Sequence, residues 1–421
     1  MNAWKSSRCA VKAAILIGFI GAPLGADVQY RVTDLGTLGA FPSRAWGIDR
    51  QGRVVGESSV RLADEHLHGF LWNGAIVDLG AQPGWPHSIA FGLNDAGQAV
   101  GPSFRLGEMN DAATRWQSGV IEPIGDFTPR GLNADCVVVG VRSVDHGDGQ
   151  WIEEAVRWDN GALAALPTLG GRNAWAAAIN DAGWIVGASE LSDERAVHAA
   201  LWIADIASDL GTLGGSSSQA LAINGAGQVV GWSDTADGGQ HAFLVELDGG
   251  GNVVARHDLG ELAGGTSYAY GLNSLGDVVG TSNDAAFLWT QGAMIDLNTR
   301  IDPLSGWTLN EAVAINDAGQ VAGRGVIGNE PHAFLLTPGS DADCASIQRL
   351  SAKCVDGKLV AKIASTLAEG TVLTLTHNDA DPKTLVINAR GKGRVKWRKQ
   401  SGSQLVAIVE CSEQTATADC G

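Results

Sequence analysis

The sequence predicts an all-β chain: a seven-bladed β-propeller closed by its own N-terminal strand, followed by a small Ig-like β-sandwich. Three observations predict it. One phrase is written seven times, the composition suits turns and flat aromatic packing, and the strand count balances only if the two ends of the repeat array meet.

The phrase is an Ile/Leu-Asn-(Asp)-Ala-Gly turn followed by a short apolar run that stops at Gly, as in AAAINDAGWIVG and ALAINGAGQVVG. Its anchoring residue falls at Asp49, Asn94, Asn133, Asn180, Asn224, Asn273 and Asn316, with steps of 45, 39, 47, 44, 49 and 43 residues. A period in the low-to-mid forties with one β-hairpin per repeat suits a propeller blade better than a helical solenoid. Gly fills 57 of 421 positions, roughly twice its usual share, and Trp is abundant at 14. Beyond the first 25 residues no window holds a 3.6-residue apolar period, so helix is expected to be scarce.

Each repeat reads as four strands. The first enters the turn and the second leaves it, apolar on both faces as in a strand covered on both sides. The third is HGFLW, ATRW, AVRW, HAALW, HAFLV, AAFLW or HAFLL, and the fourth ends in DLG. Asn-Asp and the Gly after them close a short hairpin through left-handed backbone conformations. The array opens with YRVTDLGTLG, a fourth-type strand without a hairpin, and ends at HAFLLTPG without a fourth strand. Tyr30–Leu35 is therefore expected to complete the last blade, over a propeller of residues 28–339. Such closure leaves no long free edge.

With DLGTLGG, IN-x-x-GQVVG and HAFLW in order, residues 29–339 resemble the HAF-repeat family of extracellular repeat proteins. The resemblance is strong in blades 4 to 7 and weaker in blades 2 and 3, where Ala113-Thr114-Arg115 and Ala155-Val156-Arg157 replace His-Ala-Phe. It implies export and a propeller-like array. It implies no defined catalytic activity and carries over no catalytic residue.

Residues 1–26 read as a signal peptide: Lys5, Arg8 and Lys12, then AAILIGFIGA and a cleavage point after Ala26. The apolar stretch is short for a span of about 20 residues, so the mature chain is expected to be secreted or periplasmic, without a transmembrane span, and monomeric. Residues 27–339 carry 15 Lys and Arg against 37 Asp and Glu, a net of −22, and residues 340–421 carry 11 against 9. The acidic surface argues against nucleic acid as a partner.

Residues 340–421 read as a disulfide-stapled β-sandwich with strands KLVAKIA, TVLTLTHN, TLVINA, GRVKWRK and QLVAIVEC. A core this small gains from cross-links. Cys344, Cys354, Cys411 and Cys420 allow three pairings. The one favoured joins first and last strands through Cys354–Cys411 and ties the ends through Cys344–Cys420. Cys136 stands where other turns have Gly52, Gly97, Gly183, Gly227, Gly276 and Gly319, and is expected to be a free thiol in a rebuilt turn.

Few residues point to chemistry. His68, His198, His241 and His332 recur at one repeat position and read as scaffold, each bonded to a neighbouring loop. Asp64-Glu65-His66-Leu67-His68 is the one local metal-like cluster, short of the three or four ligands zinc requires. No G-x-S-x-G, H-E-x-x-H, C-x-x-C or phosphate-cradling motif is present; no cofactor, metal or catalytic residue is expected. Function is sought in what varies between repeats. Five and three residues before the anchor stand Arg44 and Trp46, Trp175 and Ala177, and Tyr268 and Tyr270, while Ala recurs at four before in six repeats. Arg44, Trp46, Trp175, Tyr268 and Tyr270 are the candidate ligand platform, since aromatic faces bury much area at little entropic cost. Arg390, Lys392, Arg394, Lys396 and Arg398 share one face of a strand, a solvated face or a ladder for an anionic polysaccharide. The expectation is a non-enzymatic exported propeller binding a glycan or an envelope or extracellular protein at one end of the ring. The alternatives are a carbohydrate-active hydrolase or lyase and a structural matrix component.

Overall fold

The computed structural model describes residues 28–420 apart from 62–65, 108–110, 146, 148–149, 193–195, 340–346, 356–357, 368–371, 378–379, 399 and 409–410. The expected signal peptide lies outside the described residues, as do Asp64 and Glu65. The chain is all-β, built of small antiparallel sheets, with one 3-10 turn at Leu297–Arg300 among the described residues. It divides into two compact units, one holding Val32–Thr337 and one holding Pro338–Gly421 with Val28–Arg31.

Among the described residues of the first unit there are seven sheets, each carrying one of the seven anchored turns. The fourth is representative: Gly170–Ile179, Ile185–Leu191, Val197–Ile203 and Ile206–Gly211, in sequence order. In the second sheet the first strand is broken into His87–Ser88 and Gly92–Leu93. The seventh sheet orders Trp307–Ile315, Val321–Ile327 and Glu330–Pro338, and its fourth place is taken by Tyr30–Asp34.

One set of bonds recurs from sheet to sheet. The third-strand histidines His68, His198, His241 and His332 place Nδ1 2.8–3.0 Å from Asp78, Asp209, Asp258 and Asp34. The partner is thus the Asp of the DLG strand and not a neighbouring loop. Asp34 comes from the N-terminal strand and serves His332 as the others serve their own histidines. A serine then links consecutive sheets: Ser218 Oγ accepts from Ala199 N and donates to Gly211 O, and Ser43 does the same with Ala333 N and Gly36 O.

The anchors form a second chain of bonds. Each Asn donates Nδ2–H to the carbonyl of the next anchor, from Asn94 to Asn133, Asn180, Asn224, Asn273 and Asn316, and Asn316 donates to Asp49 O, at 2.9–3.5 Å. Asp49 has no amide donor. There Arg53 pairs with the Asp49 carboxylate and reaches Asp95 O at 3.1 Å. First strands of consecutive sheets lie against one another, and that of the seventh lies against that of the first. Buried clusters straddle neighbouring sheets in the same way; Ala45, Val54 and Phe70 of the first pack with Ala322, Ala333 and Leu335 of the seventh.

Cys136 departs from expectation twice. It is disulfide-bonded, so it is not a free thiol. Its turn is not rebuilt either. Cys136 takes φ +63° where the six glycines take +72° to +83°, and Cys136 N bonds Asn133 O at 3.1 Å as Gly183 N bonds Asn180 O.

In the second unit, Ile347–Val355, Lys358–Ser365 and Lys392–Arg398 form one sheet, and Ala380–Val386, Val372–His377, Ser403–Ile408 and Cys411–Asp419 another. Leu359, Ile363, Leu373, Leu375, Val406 and Trp397 from the two sheets fill one core. The strands Ile347–Val355 and Cys411–Asp419 were not expected. Each sets Ala beside polar residues rather than the β-branched runs that mark strands. Cys354 pairs with Cys420, not Cys411. A nine-residue strand spans about 30 Å, so Cys411 and Cys420 stand at opposite ends of the last strand and Cys354 meets only the far end. The pairing Cys344–Cys420 is thereby excluded; Cys344 lies outside the described residues.

Candidate functional site

The first strands interrupt their pairing at one shared place. In six sheets the residue three before the anchor is an extra one, opposite no partner: Trp46, Arg130, Ala177, Leu221, Tyr270 and Val313. In the second sheet the strand breaks there, and Phe91 occupies the place. A bulge of this kind bends a strand and re-aims one side chain. The next residue is always Gly or Ala, because the first strands crowd together: a Cβ on Gly271 would lie 2.7 Å from Val313 O.

All seven residues at this position line one cavity of about 290 Å³. Ile and Leu just before the anchors, among them Ile48, Leu93, Leu272 and Ile315, line both this cavity and a second one of about 240 Å³. An apolar collar therefore separates two vestibules. The second is rimmed by Asp95, Asp181 and Asp317, whose carboxylates accept the N–H groups of Arg50, Ala134 and Ser274 at 2.9–3.0 Å. Those acids join one turn to the next and read as scaffold.

The first cavity is chemically mixed. Arg130 stacks over Phe91 with its guanidinium carbon 4.5 Å from the ring centroid, a cation–π contact. Protein surrounds Arg130 on most sides while its side chain stays open to the cavity. Burial lowers its pKa and Asp111 opposes the shift. Burial likewise raises Asp111, which accepts the Thr128 hydroxyl at 2.5 Å.

Across the meeting of the seventh and first sheets, Arg44 stands opposite Glu57 and Glu311 is bonded to Arg324. Glu57 is 8% exposed. Burial pushes its carboxyl up, while Arg44, Arg324 and the Trp46 indole pull it back; the indole N–H falls short of hydrogen-bond geometry to it. Tyr270 is pushed up to about 12, by burial first and then by Glu311 and Tyr268.

Trp46 and Tyr270 therefore face the cavity, and Arg44 stands behind them beside Glu57. Tyr268 stacks on Tyr270, centroids 6.5 Å apart, and donates its hydroxyl to Gln240. Trp175 does not line the cavity; it is half-buried opposite Ala188. Lys392, Arg394, Lys396 and Arg398 lie on an exposed strand face of the second unit, and Arg390 in the turn before it. Arg130, Glu57 and Arg324 were not singled out from sequence. Aligning the third repeat on Asn133 alone would have placed Arg130. Glu57 and Arg324 occupy the variable position after the Gly that ends the apolar run.

Among the described residues no group of three or more His, Cys, Asp and Glu could hold a metal ion, and no helix is long and apolar enough to cross a membrane.

The chain belongs to a family described as "Protein of unknown function (DUF3466)", whose model matches residues 84–337. No curated protein matches it. Among solved structures it is similar to TolB from Acinetobacter baumannii, at 12% identity and TM-score 0.37, over 69% of this chain and 64% of that one. It is also similar to a puromycin hydrolase S511A mutant complexed with PGG, at 12% identity and TM-score 0.31, over 90% of this chain and 55% of that one. The chain thus spans less than two thirds of the length of either.

Proposed function

We propose that this chain is an exported, non-enzymatic protein of the HAF-repeat type. Its seven sheets are the blades of a closed β-propeller, the N-terminal strand completes the last, and the second unit is an Ig-like module. The aromatic vestibule of the axial channel binds a glycan or a segment of an envelope or extracellular protein. One observation carries the reading: the residue aimed into the channel by the bulge differs in every repeat, while the turn, the collar and the serine and histidine bonds recur. Trp46, Phe91 and Tyr270 offer apolar faces to a sugar ring, and Arg130 offers a fixed cation.

A second reading, a hydrolase using Glu57 and Glu311 as a carboxylate pair, draws on the upward push on Glu57. Against it, Glu311 is bonded to Arg324, which takes up one of the two carboxylates, and Arg44 and Arg324 pull the Glu57 carboxyl back down. A glycan array with the mature protein, read together with product release from the hits, tests both. Binding without turnover is the expected result. Turnover abolished by Glu57→Gln would favour the hydrolase, and an array without a hit would reject the glycan as ligand.

A further inference from the structure

We propose that the outer face of the sheet formed by Ile347–Val355, Lys358–Ser365 and Lys392–Arg398 binds a linear acidic polysaccharide carrying carboxylates or sulfates along its length. Charge is sorted along this chain to an unusual degree. Every lysine after residue 27 lies beyond residue 340. Eight of the eleven Lys and Arg beyond that point fall in these three strands, and none of the nine Asp and Glu does.

The register puts all eight on one side. Lys392, Arg394, Lys396 and Arg398 are exposed while Val395 and Trp397 are buried; Lys358 and Lys362 are exposed while Leu359, Ala361 and Ile363 are buried. Arg349 and Lys353 join them from the first strand. None of the eight has a carboxylate partner among the described residues. Two pairs are like charges directly opposite, Lys362 with Arg394 and Lys358 with Arg398. Such pairs destabilise a sheet, and a bound anion relieves them. Arg349, Lys353, Lys362 and Arg394 line a groove of about 420 Å³.

The spacing selects the ligand. Same-face residues recur about 6.6–6.8 Å along a strand, and strands lie about 4.8 Å apart. The cations thus form a lattice for an extended polymer charged at intervals, not a pocket for one small anion. Single-stranded nucleic acid needs exposed aromatic platforms, and the one aromatic residue of this sheet, Trp397, is buried on the inward side. A duplex reader needs a helix or ribbon that enters a groove. Polybasic docking to bilayers exploits the cytoplasmic leaflet, which an exported chain does not face; on this point the inference rests on the export reading.

The test uses the full chain with heparin, polygalacturonate, neutral dextran, phosphatidylglycerol vesicles and oligo-dT at low and physiological salt. Heparin and polygalacturonate should bind and dextran should not. Replacing Arg349, Lys353, Lys362 and Arg394 together by Gln should weaken heparin binding by about tenfold or more and flatten its salt dependence. The urea midpoint should stay unchanged or rise, because opposed charges are removed. Equal affinity in parent and variant would overturn the site. Tighter binding to the vesicles or oligo-dT than to either polysaccharide would overturn the ligand class. Loss of these interactions would leave binding in the channel of the first unit unaffected, so the two readings fail separately.

Discussion

A Cβ on Gly187 would sit 1.9 Å from the Trp175 carbonyl oxygen, and Gly56, Gly231 and Gly280 meet the same obstacle from Arg44, Gln219 and Tyr268. The Gly that ends each apolar run is therefore a packing requirement between the first and second strands. Gly187→Ala should cost about 2–3 kcal/mol, whereas Gly225→Ala, with nothing within 4 Å, should leave the urea midpoint where it was. Glu57 makes a pH prediction. Burial raises its carboxyl above 4.5, so the folded protein holds that proton longer than the unfolded chain. The favourable contribution is complete below the unfolded value and is lost as pH rises through the folded one. Stability of the parent should thus fall relative to Glu57→Gln between pH 4 and neutrality. A constant difference across that range would contradict the burial account.

The anchored turn is the element that joins the sheets. Asn180 Oδ1 accepts from Ala182 N and Trp184 N, while Nδ2 donates to Asn224 O in the next sheet. Asn180→Asp keeps the first two bonds and removes the third, the state already present at Asp49. It should cost about 1–2 kcal/mol, and Asn180→Ala should cost more, with chemical denaturation as the measure. Turns and apolar runs were legible in the sequence because all seven repeats carry them, and the His position because four repeats share it. The bulge was not. Its residue is Trp, Arg, Ala, Leu, Tyr or Val in turn, and no side-chain preference marks it. The cause is backbone crowding among neighbouring sheets, which one repeat alone does not contain. Cysteine pairing was hidden for a similar reason: spacing does not say which end of the last strand Cys354 meets.

At the scale of the whole first unit, the account requires the N-terminal strand to be a working part of the seventh sheet. Its bonds are specific: Asp34 to His332, Leu35 N to Ala333 O at 3.0 Å, and Ser43 between Gly36 and Ala333. The proposed binding in the first cavity would depend on it, because Arg44 and Trp46 follow directly in the chain. Single changes Trp46→Ala, Arg130→Ala and Tyr270→Ala should each weaken ligand binding by about 1–3 kcal/mol with little change in urea midpoint. A fall of about 3–5 kcal/mol in stability with intrinsic affinity preserved would assign them to packing instead. The most direct measurement is hydrogen exchange across residues 330–338 in the mature chain and in a deletion of residues 27–38. Protection like that of the other third strands, lost on deletion together with the monomeric state, is the predicted result, since the deletion bares an unpaired edge. A deletion protein that stays monomeric, melts as the parent does and keeps that protection would contradict closure by the N-terminal strand.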